Sequence, residues 1–325
     1  MTFYDEWFAA QADIEASFLR SPGLARDADY PWVETRQDAR VKLMLGRETG
    51  FPTMGGVVLK AEIPPGWHTG THRHGEEAIH VLRGVGFAVV DGHRFDVRPG
   101  STLQIPYRAS HQLVNTGDEA LQYLSAMAFP LELYVNLVTL EQIEDHGEND
   151  ERLLSASAEE GHSIPGGPRV VIHLDEAPTH LAEVEASQIA AYQQQHGTVH
   201  YLAVPENGFP ERDRASVAMT HVFEEAAGHH GGRHKHLEAV LYVLDGEGYS
   251  DVGGKPQKWS TGDILHIPPA MWEHEHYNQG SWASQLLRIQ FGIRYWFTEL
   301  WPEGYSPQRI YDEEGRPIVA ARIVE

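Results

Sequence analysis

Six histidines, arranged as two sets of three, are the residues of this chain best suited to chemistry. His72, His74 and His111 form one set; His234, His236 and His274 form the other. Two histidines separated by one residue on a strand point to the same face, so each His-x-His pair can hold an ion between two imidazoles. A third histidine further along can complete the set if its strand folds back beside the first. Three imidazoles with an open coordination face suit Fe(II), Mn(II), Ni(II), Cu(II) or Zn(II) and leave room for a substrate or dioxygen. The ligand types do not choose among these ions. Cysteine is absent, which excludes thiolate ligands and disulfides and leaves histidine and carboxylate as the strong metal ligands.

Chance has to be weighed first. With 20 histidines in 325 residues, about one His-x-His pair is expected at random, and a lone pair would carry little weight. Three occur, two of them in matching frameworks. A shift of 162 residues superposes His72 on His234, His74 on His236, Gly84 on Gly246, Gly100 on Gly262 and Pro106 on Pro268, and makes 13 of the 35 positions from 72 to 106 identical. His111 falls on His274, and Asn115 on Asn278, at a shift of 163, as one extra loop residue would produce. The chain therefore contains a repeated supersecondary unit. In the third pair, His274 stands four residues before Asn278, as His111 stands before Asn115. That makes His274 the expected ligand and His276 a group beside the ion, either an acid-base residue or a buried polar one.

The elements that must position these histidines are short strands. From Gly55 onward, apolar segments alternate with turn signals at 64–66 (PPG), 91–92 (DG), 99–100 (PG) and 115–118 (NTGD), the pattern of an antiparallel sandwich or barrel. FAVVDGHRFDV reads as a hairpin around Asp91-Gly92. Residues 3 to 20 carry apolar side chains near helical spacing and end at Ser21-Pro22-Gly23, which predicts an N-terminal helical arm packed on a domain or on a second subunit. The segment 141–161 is acidic and turn-rich. Val170 to Leu174 reads as a strand, Leu181 to Gln195 as a helix, and the aromatic stretch from Ile289 to Tyr305 as a cover over one end of the second barrel.

Composition narrows the partners. A formal charge of −22 repels phosphate backbones and anionic lipid, so neither nucleic acid nor a membrane is expected as a partner. No apolar run reaches the eighteen or so residues of a membrane span, and the acidic N-terminus lacks the basic and apolar regions of a signal peptide. A cytoplasmic location is the expectation. An anionic small molecule would need a local positive centre, such as a metal ion or a placed arginine.

The motifs themselves carry a resemblance. His-x-His, then Glu, then Gly, followed by Gly, five residues, Pro, and a His with Asn four later, resembles the cupin superfamily, and because both halves match, the chain resembles a bicupin. The resemblance implies an all-β fold of two tandem double-stranded β-helix (jelly-roll) barrels with an N-terminal helical arm. The boundaries expected are 1–50 for the arm and lead-in, 51–140 for the N-terminal cupin barrel, 141–198 for an acidic linker with a short strand and helix, and 199–325 for the C-terminal cupin barrel and aromatic tail.

Many cupins add a glutamate to three histidines. Counting back seven from Gly84 selects Glu77, whose counterpart in the second copy is Ala239; Glu76 and Glu238 are then expected on the other face. A three-histidine site with alanine in the glutamate position is similar to the gentisate 1,2-dioxygenase group of ring-cleaving enzymes, and WEHEHYN adds to that likeness. This group usually works through its N-terminal cupin and carries an arginine on the first motif's strand, where Ile79 and Leu241 stand here.

The resemblance implies an Fe(II) dioxygenase that cleaves a hydroxylated aromatic ring with O2, taking a small aromatic acid or phenol of the gentisate, salicylate or hydroquinone kind. His276, Gln104 and His266 are the expected catalytic residues, the last two as polar side chains alternating with apolar neighbours at equivalent places in the two copies. Arg73, between two ligands, is expected to point outward. A Mn(II)-dependent decarboxylase or oxidase of the oxalate type, favoured by Glu77, and a non-catalytic small-molecule-binding bicupin are the alternatives. A homo-oligomer, with the arm as an exchange element, is expected.

Overall fold

Strand Glu77–Arg83 shows how this chain builds its layers. Glu77, Ile79 and Val81 turn into the interior of a first barrel, while Ala78 turns the other way into a second apolar layer. Strand Ala239–Asp245 repeats the arrangement, with Ala239, Leu241 and Val243 inside a second barrel and Val240 and Tyr242 outside it. Both faces are covered, so these strands are buried along nearly their whole length.

In this computed structural model the described residues are 2–137, 140–159, 161–179, 197–204, 207–209, 217–269 and 272–291, with the backbone strands Arg309–Tyr311 and Pro317–Ile318. The helix expected over 181–195 and the aromatic tail from 292 to 305 lie outside them. The fold is two tandem jelly-roll barrels preceded by a helical arm. In the first barrel one sheet orders Val171–His173, Ser101–Ile105, Glu77–Arg83, Leu121–Met127, Val57–Ile63 and Arg40–Leu45, and the facing sheet carries Thr71–Arg73, His111–Asn115 and the hairpin Gly86–Val90/His93–Val97. Asp91 (φ 48°) and Gly92 (φ 83°) form the left-handed turn of that hairpin, as Asp-Gly predicts. In the second barrel Leu24–Ala25, Ile264–Ile267, Ala239–Asp245, Ser284–Phe291, Val217–Glu225 and Thr198–Tyr201 form one sheet. The other runs through Lys255–Ser260, Glu247–Val252, Glu273–Asn278 and His234–Lys235 to Arg309–Tyr311.

The duplication extends to the edges. Val171 pairs with Leu103, and Leu24 pairs with Leu265, 162 residues further along. The segment between the barrels thus completes the first sheet, and the N-terminal lead-in completes the second. A shared apolar layer then joins the two sheets back to back, with Ala78, Leu124 and Ala126 from one barrel against Val240, Leu287, Ile289 and Phe291 from the other. Gly56 permits the closest approach: a Cβ there would lie 2.1 Å from the Phe291 ring. The arm, Phe3–Arg20, is a helix, and Phe3, Tyr4, Trp7 and Phe8 on its first two turns are exposed.

Candidate metal centres

Register brings each third histidine home. His111 pairs directly with His72 across antiparallel strands, and His274 pairs directly with His234. In the first barrel the rings of His72, His74 and His111 lie 4.4–5.2 Å apart between centroids. Glu77 joins them from the start of its strand, with Oε2 3.0 Å from His111 Nε2 and 3.5 Å from His74 Nε2. One ligand atom from each of the four falls within 4.8 Å of the others, and all four side chains are buried. Glu76, by contrast, faces the other barrel. In the second barrel His234, His236 and His274 gather to the same tolerance, and Ala239 stands where Glu77 does.

The hydrogen bonds assign the ring protons. Nδ1 of His72, His74 and His111 lies 2.9–3.0 Å from the carbonyls of Gly70, Gly75 and Ala109, and Nδ1 of His234, His236 and His274 lies 2.5–2.9 Å from those of Gly232, Leu237 and Trp272. A carbonyl only accepts, so each Nδ1 carries a hydrogen and each ring presents Nε2 to the cluster. Nε2 of His236 then faces Nε2 of His274 at 3.1 Å. In the first barrel Nε2 of His111 and Oε2 of Glu77, both buried without a hydrogen-bond partner, face each other across 3.0 Å. Each facing pair needs a cation between its atoms, either a proton, which Glu77 favours on His111 against the effect of burial, or a metal ion, and rings anchored through Nδ1 to carbonyls are oriented as metal-ligating histidines are. Burial, with the neighbouring His111, pushes His72 down to about 3, so it is a neutral ligand at ordinary pH. Both residue sets fit a divalent ion.

The surroundings of the two centres differ. Behind Glu77, the Ser125 hydroxyl donates to Oε1, and Tyr123 donates to Asp38 at 2.6 Å. In the second barrel a narrow cleft opens onto the histidines and is lined also by Phe223, Leu241, Ile267, His276 and Arg288. Arg288 is 4% exposed and its guanidinium stands 5.5 Å from the centre of the Phe223 ring. His276 lines the same pocket, its ring 5.5 Å from that of His274. Trp259 donates to Ser250 Oγ at 3.0 Å, and Ser250 Oγ lies 2.7 Å from His276 Nδ1. The Trp259–Ser250 pair thus fixes the His276 ring by its Nδ1. Burial, with His274 and Arg288 nearby, holds His276 well below the usual imidazole range.

Gln104 and His266 are placed elsewhere, against the expectation that they face a cavity. Each belongs to a latch between the barrels. Gln104 donates to Glu76 Oε1 and, at 2.8 Å, to the Val217 carbonyl, while Glu76 Oε2 accepts from Val217 N at 3.0 Å. His266 Nε2 lies 2.8 Å from Glu238 Oε1, and Glu238 Oε2 accepts from Met54 N and Gly55 N at 3.1 and 2.6 Å. Gly55 and Val217 are themselves 162 residues apart, so the latch is part of the duplication. Both faces of these strands are buried, and alternation cannot say which face holds the cavity. Arg73 points away from the ligands toward Glu141, 3.7 Å away. Arg288, Ser250 and Ser125 were not visible as site residues; the one available signal is an isolated arginine in the apolar strand SQLLRIQF.

Comparison with known proteins agrees with this geometry. The cupin domain family profile (Cupin_2) matches residues 59–127 and 221–289, two intervals related by the same 162-residue shift. An uncharacterised protein of Methanocaldococcus jannaschii is 34% identical over 67 residues; that match covers 20% of this chain and 54%, about half, of the relative's length. Among solved structures, salicylate 1,2-dioxygenase of Pseudaminobacter salicylatoxidans is similar at 15% identity and a TM-score of 0.59, covering 80% of this chain and 76% of that one. Its adduct with gentisate is similar at 14% identity and a TM-score of 0.58, covering 94% and 83%. A mutant of Bacillus subtilis oxalate decarboxylase is similar at 16% identity and a TM-score of 0.61, covering 84% and 77%. At these identities the likeness is one of fold.

Proposed function

Taking the chain as a bicupin with one cupin domain in each half, we propose that it is a metal-dependent oxygenase whose working site is the second barrel, opening a hydroxylated aromatic ring with O2. The observation that carries this reading is the buried three-histidine cluster beside a pocket that also holds Arg288 and His276. His234, His236 and His274 would hold Fe(II). Three neutral imidazoles leave a divalent ion its full positive charge, so the ion when bound supplies a Lewis-acidic, redox-active centre for an anionic chelate.

The chain's own groups do the rest. Arg288, buried beneath Phe223, is placed to pair with a substrate carboxylate, and the low dielectric around it strengthens that pairing. His276, held neutral by burial, is placed to hydrogen-bond a phenolic or carbonyl oxygen of the substrate and orient it. Leu241, Ile267 and Phe223 supply the apolar walls against which a single ring would pack once the side chains around the cleft part. A local positive centre thus offsets the overall charge of −22.

The first barrel supports a second reading. His72, His74, Glu77 and His111 form a three-histidine, one-carboxylate set that suits Mn(II), as in an oxalate-type decarboxylase or oxidase. Oxygen uptake by Fe(II)-loaded protein, measured against a panel of hydroxybenzoates and hydroquinones, tests the first reading; oxalate consumption by Mn(II)-loaded protein tests the second. Absence of oxygen uptake with every ring compound would refute the ring-cleaving assignment.

A further inference from the structure

A third cluster of metal-ligating side chains lies outside both barrels' interiors, where the segment between them docks on the first. We propose that His162, His173 and Glu176 form a separate, partly exposed site for a divalent ion of the Zn(II) class, one that staples this segment to the edge of the first sheet.

The three residues come from the two arms of one turn-back. The carbonyl of His162 accepts from the backbone N–H groups of Val170 and Val171, at 2.7 and 3.2 Å. His173 ends the edge strand Val171–His173, and Glu176 ends the helical turn that follows it. One ligand atom from each lies within 4.8 Å of the others. The imidazoles meet edge to face, centroids 5.3 Å apart at 81°, and His162 Nε2 is 3.4 Å from Glu176 Oε2. Such a spread leaves space for an ion between the donors with a small inward adjustment of His162 and Glu176.

The buried member is already oriented. His173 is 9% exposed, and its Nδ1 lies 2.8 Å from Ser101 Oγ, a hydroxyl that also accepts from Arg98 N at 2.9 Å. With Nδ1–H donated to that hydroxyl, whose two lone pairs accept from both partners, Nε2 is the His173 nitrogen left for an ion. Arg169 approaches Glu176 Oε2 at 3.5 Å, but its other N–H groups are committed to the carbonyls of Val171 and Asn207 at 2.8 and 3.2 Å. It braces the turn and touches only one carboxylate oxygen. Asp175 is taken up by Arg98 at 2.8 Å. Two imidazoles, one carboxylate and open positions toward solvent suit Zn(II), with Ni(II) and Cu(II) as competitors. The proposal is independent of the reaction assigned to the barrels.

The test is equilibrium dialysis of the full, Fe(II)-loaded chain against Zn(II), with bound zinc counted by elemental analysis. The wild type is expected to bind one zinc more than His162→Ala. Glu176→Gln is expected to weaken that zinc by about tenfold or more, a loss seen even for groups that merely support a ligand. His162 is half-buried and Glu176 exposed, so neither change should unfold the protein, whereas removing buried His173 would. His93→Ala, which removes a histidine paired with Glu159 at 2.7 Å outside the cluster, is expected to bind as the wild type does. Equal zinc in wild type and His162→Ala, or an equal loss in His93→Ala, would overturn the proposal.

Discussion

Ser125 and Arg288 occupy the same place in the two barrels. Each lies directly across its sheet from the residue two positions beyond the fourth-ligand position, Ile79 for Ser125 and Leu241 for Arg288. In the first barrel the short hydroxyl supports the Glu77 carboxylate. In the second, where Ala239 leaves that space empty of charge, an arginine enters the pocket. The exchange of a carboxylate for a guanidinium turns a closed ligand set into one open to an anion.

Replacement of Arg288 by Gln should therefore lower kcat/KM for a carboxylate-bearing substrate by about 10- to 100-fold, the worth of one charge-assisted hydrogen bond. A substrate lacking the carboxylate should lose much less. Steady-state oxygen uptake with a hydroxybenzoate and a hydroquinone compares the two. An equal loss for both would remove Arg288 from substrate recognition.

The two barrels can be separated by single ligand replacements. His234→Ala is expected to abolish oxygen uptake, and His72→Ala to leave most of it, while each lowers the bound metal by one equivalent. Metal analysis and the oxygen electrode on the same preparations read both quantities. Loss of uptake only in His72→Ala would move the working site to the first barrel.

The inter-barrel latch predicts a stability effect far from either centre. Glu238→Ala strips partners from His266, Met54 N and Gly55 N in a buried seam and should cost roughly 3 kcal/mol. Urea denaturation measures it. Glu238→Gln retains an oxygen for the two N–H groups and should cost less; a negligible cost for the alanine variant would mean that the apolar layer alone holds the barrels together.

Glu225 predicts a pH dependence. Burial, and then the nearby Glu275 carboxylate, pushes Glu225 up from its ordinary 4.5 to about 8. The folded protein then binds a proton that the unfolded chain has released, so the stability from this group is complete below pH 4.5 and is lost as the pH rises through about 8. Glu225→Gln should flatten the fall in Tm across that interval and be the more stable form above it. Thermal melts at a series of pH values decide; parallel profiles for the two proteins would contradict the assignment.

Much of this arrangement is legible in the amino-acid sequence because it is written locally and twice. His-x-His on a strand sets two ligands on one face whatever surrounds them, and the repeat, at a shift of 163 there, marks His111 and His274 as the third ligands. The Asp91-Gly92 turn and the glycine and proline positions delimit the same strands in each copy. The contrast between Glu77 and Ala239 is visible for the same reason.

Only the tertiary structure decides which polar residues share a space. Strand Ser101–Ile105 is buried on both faces, as is Ile264–Ile267, so hydropathy cannot distinguish barrel interior from inter-barrel seam, and Gln104 and His266 fall in the seam. Arg288 reaches the pocket through pairing with Leu241, a residue 47 positions earlier, and His162 meets His173 and Glu176 through a turn-back that completes a distant sheet edge. Ligand spacing is a property of one strand, whereas the face a strand presents is set by the partners packed on either side of it.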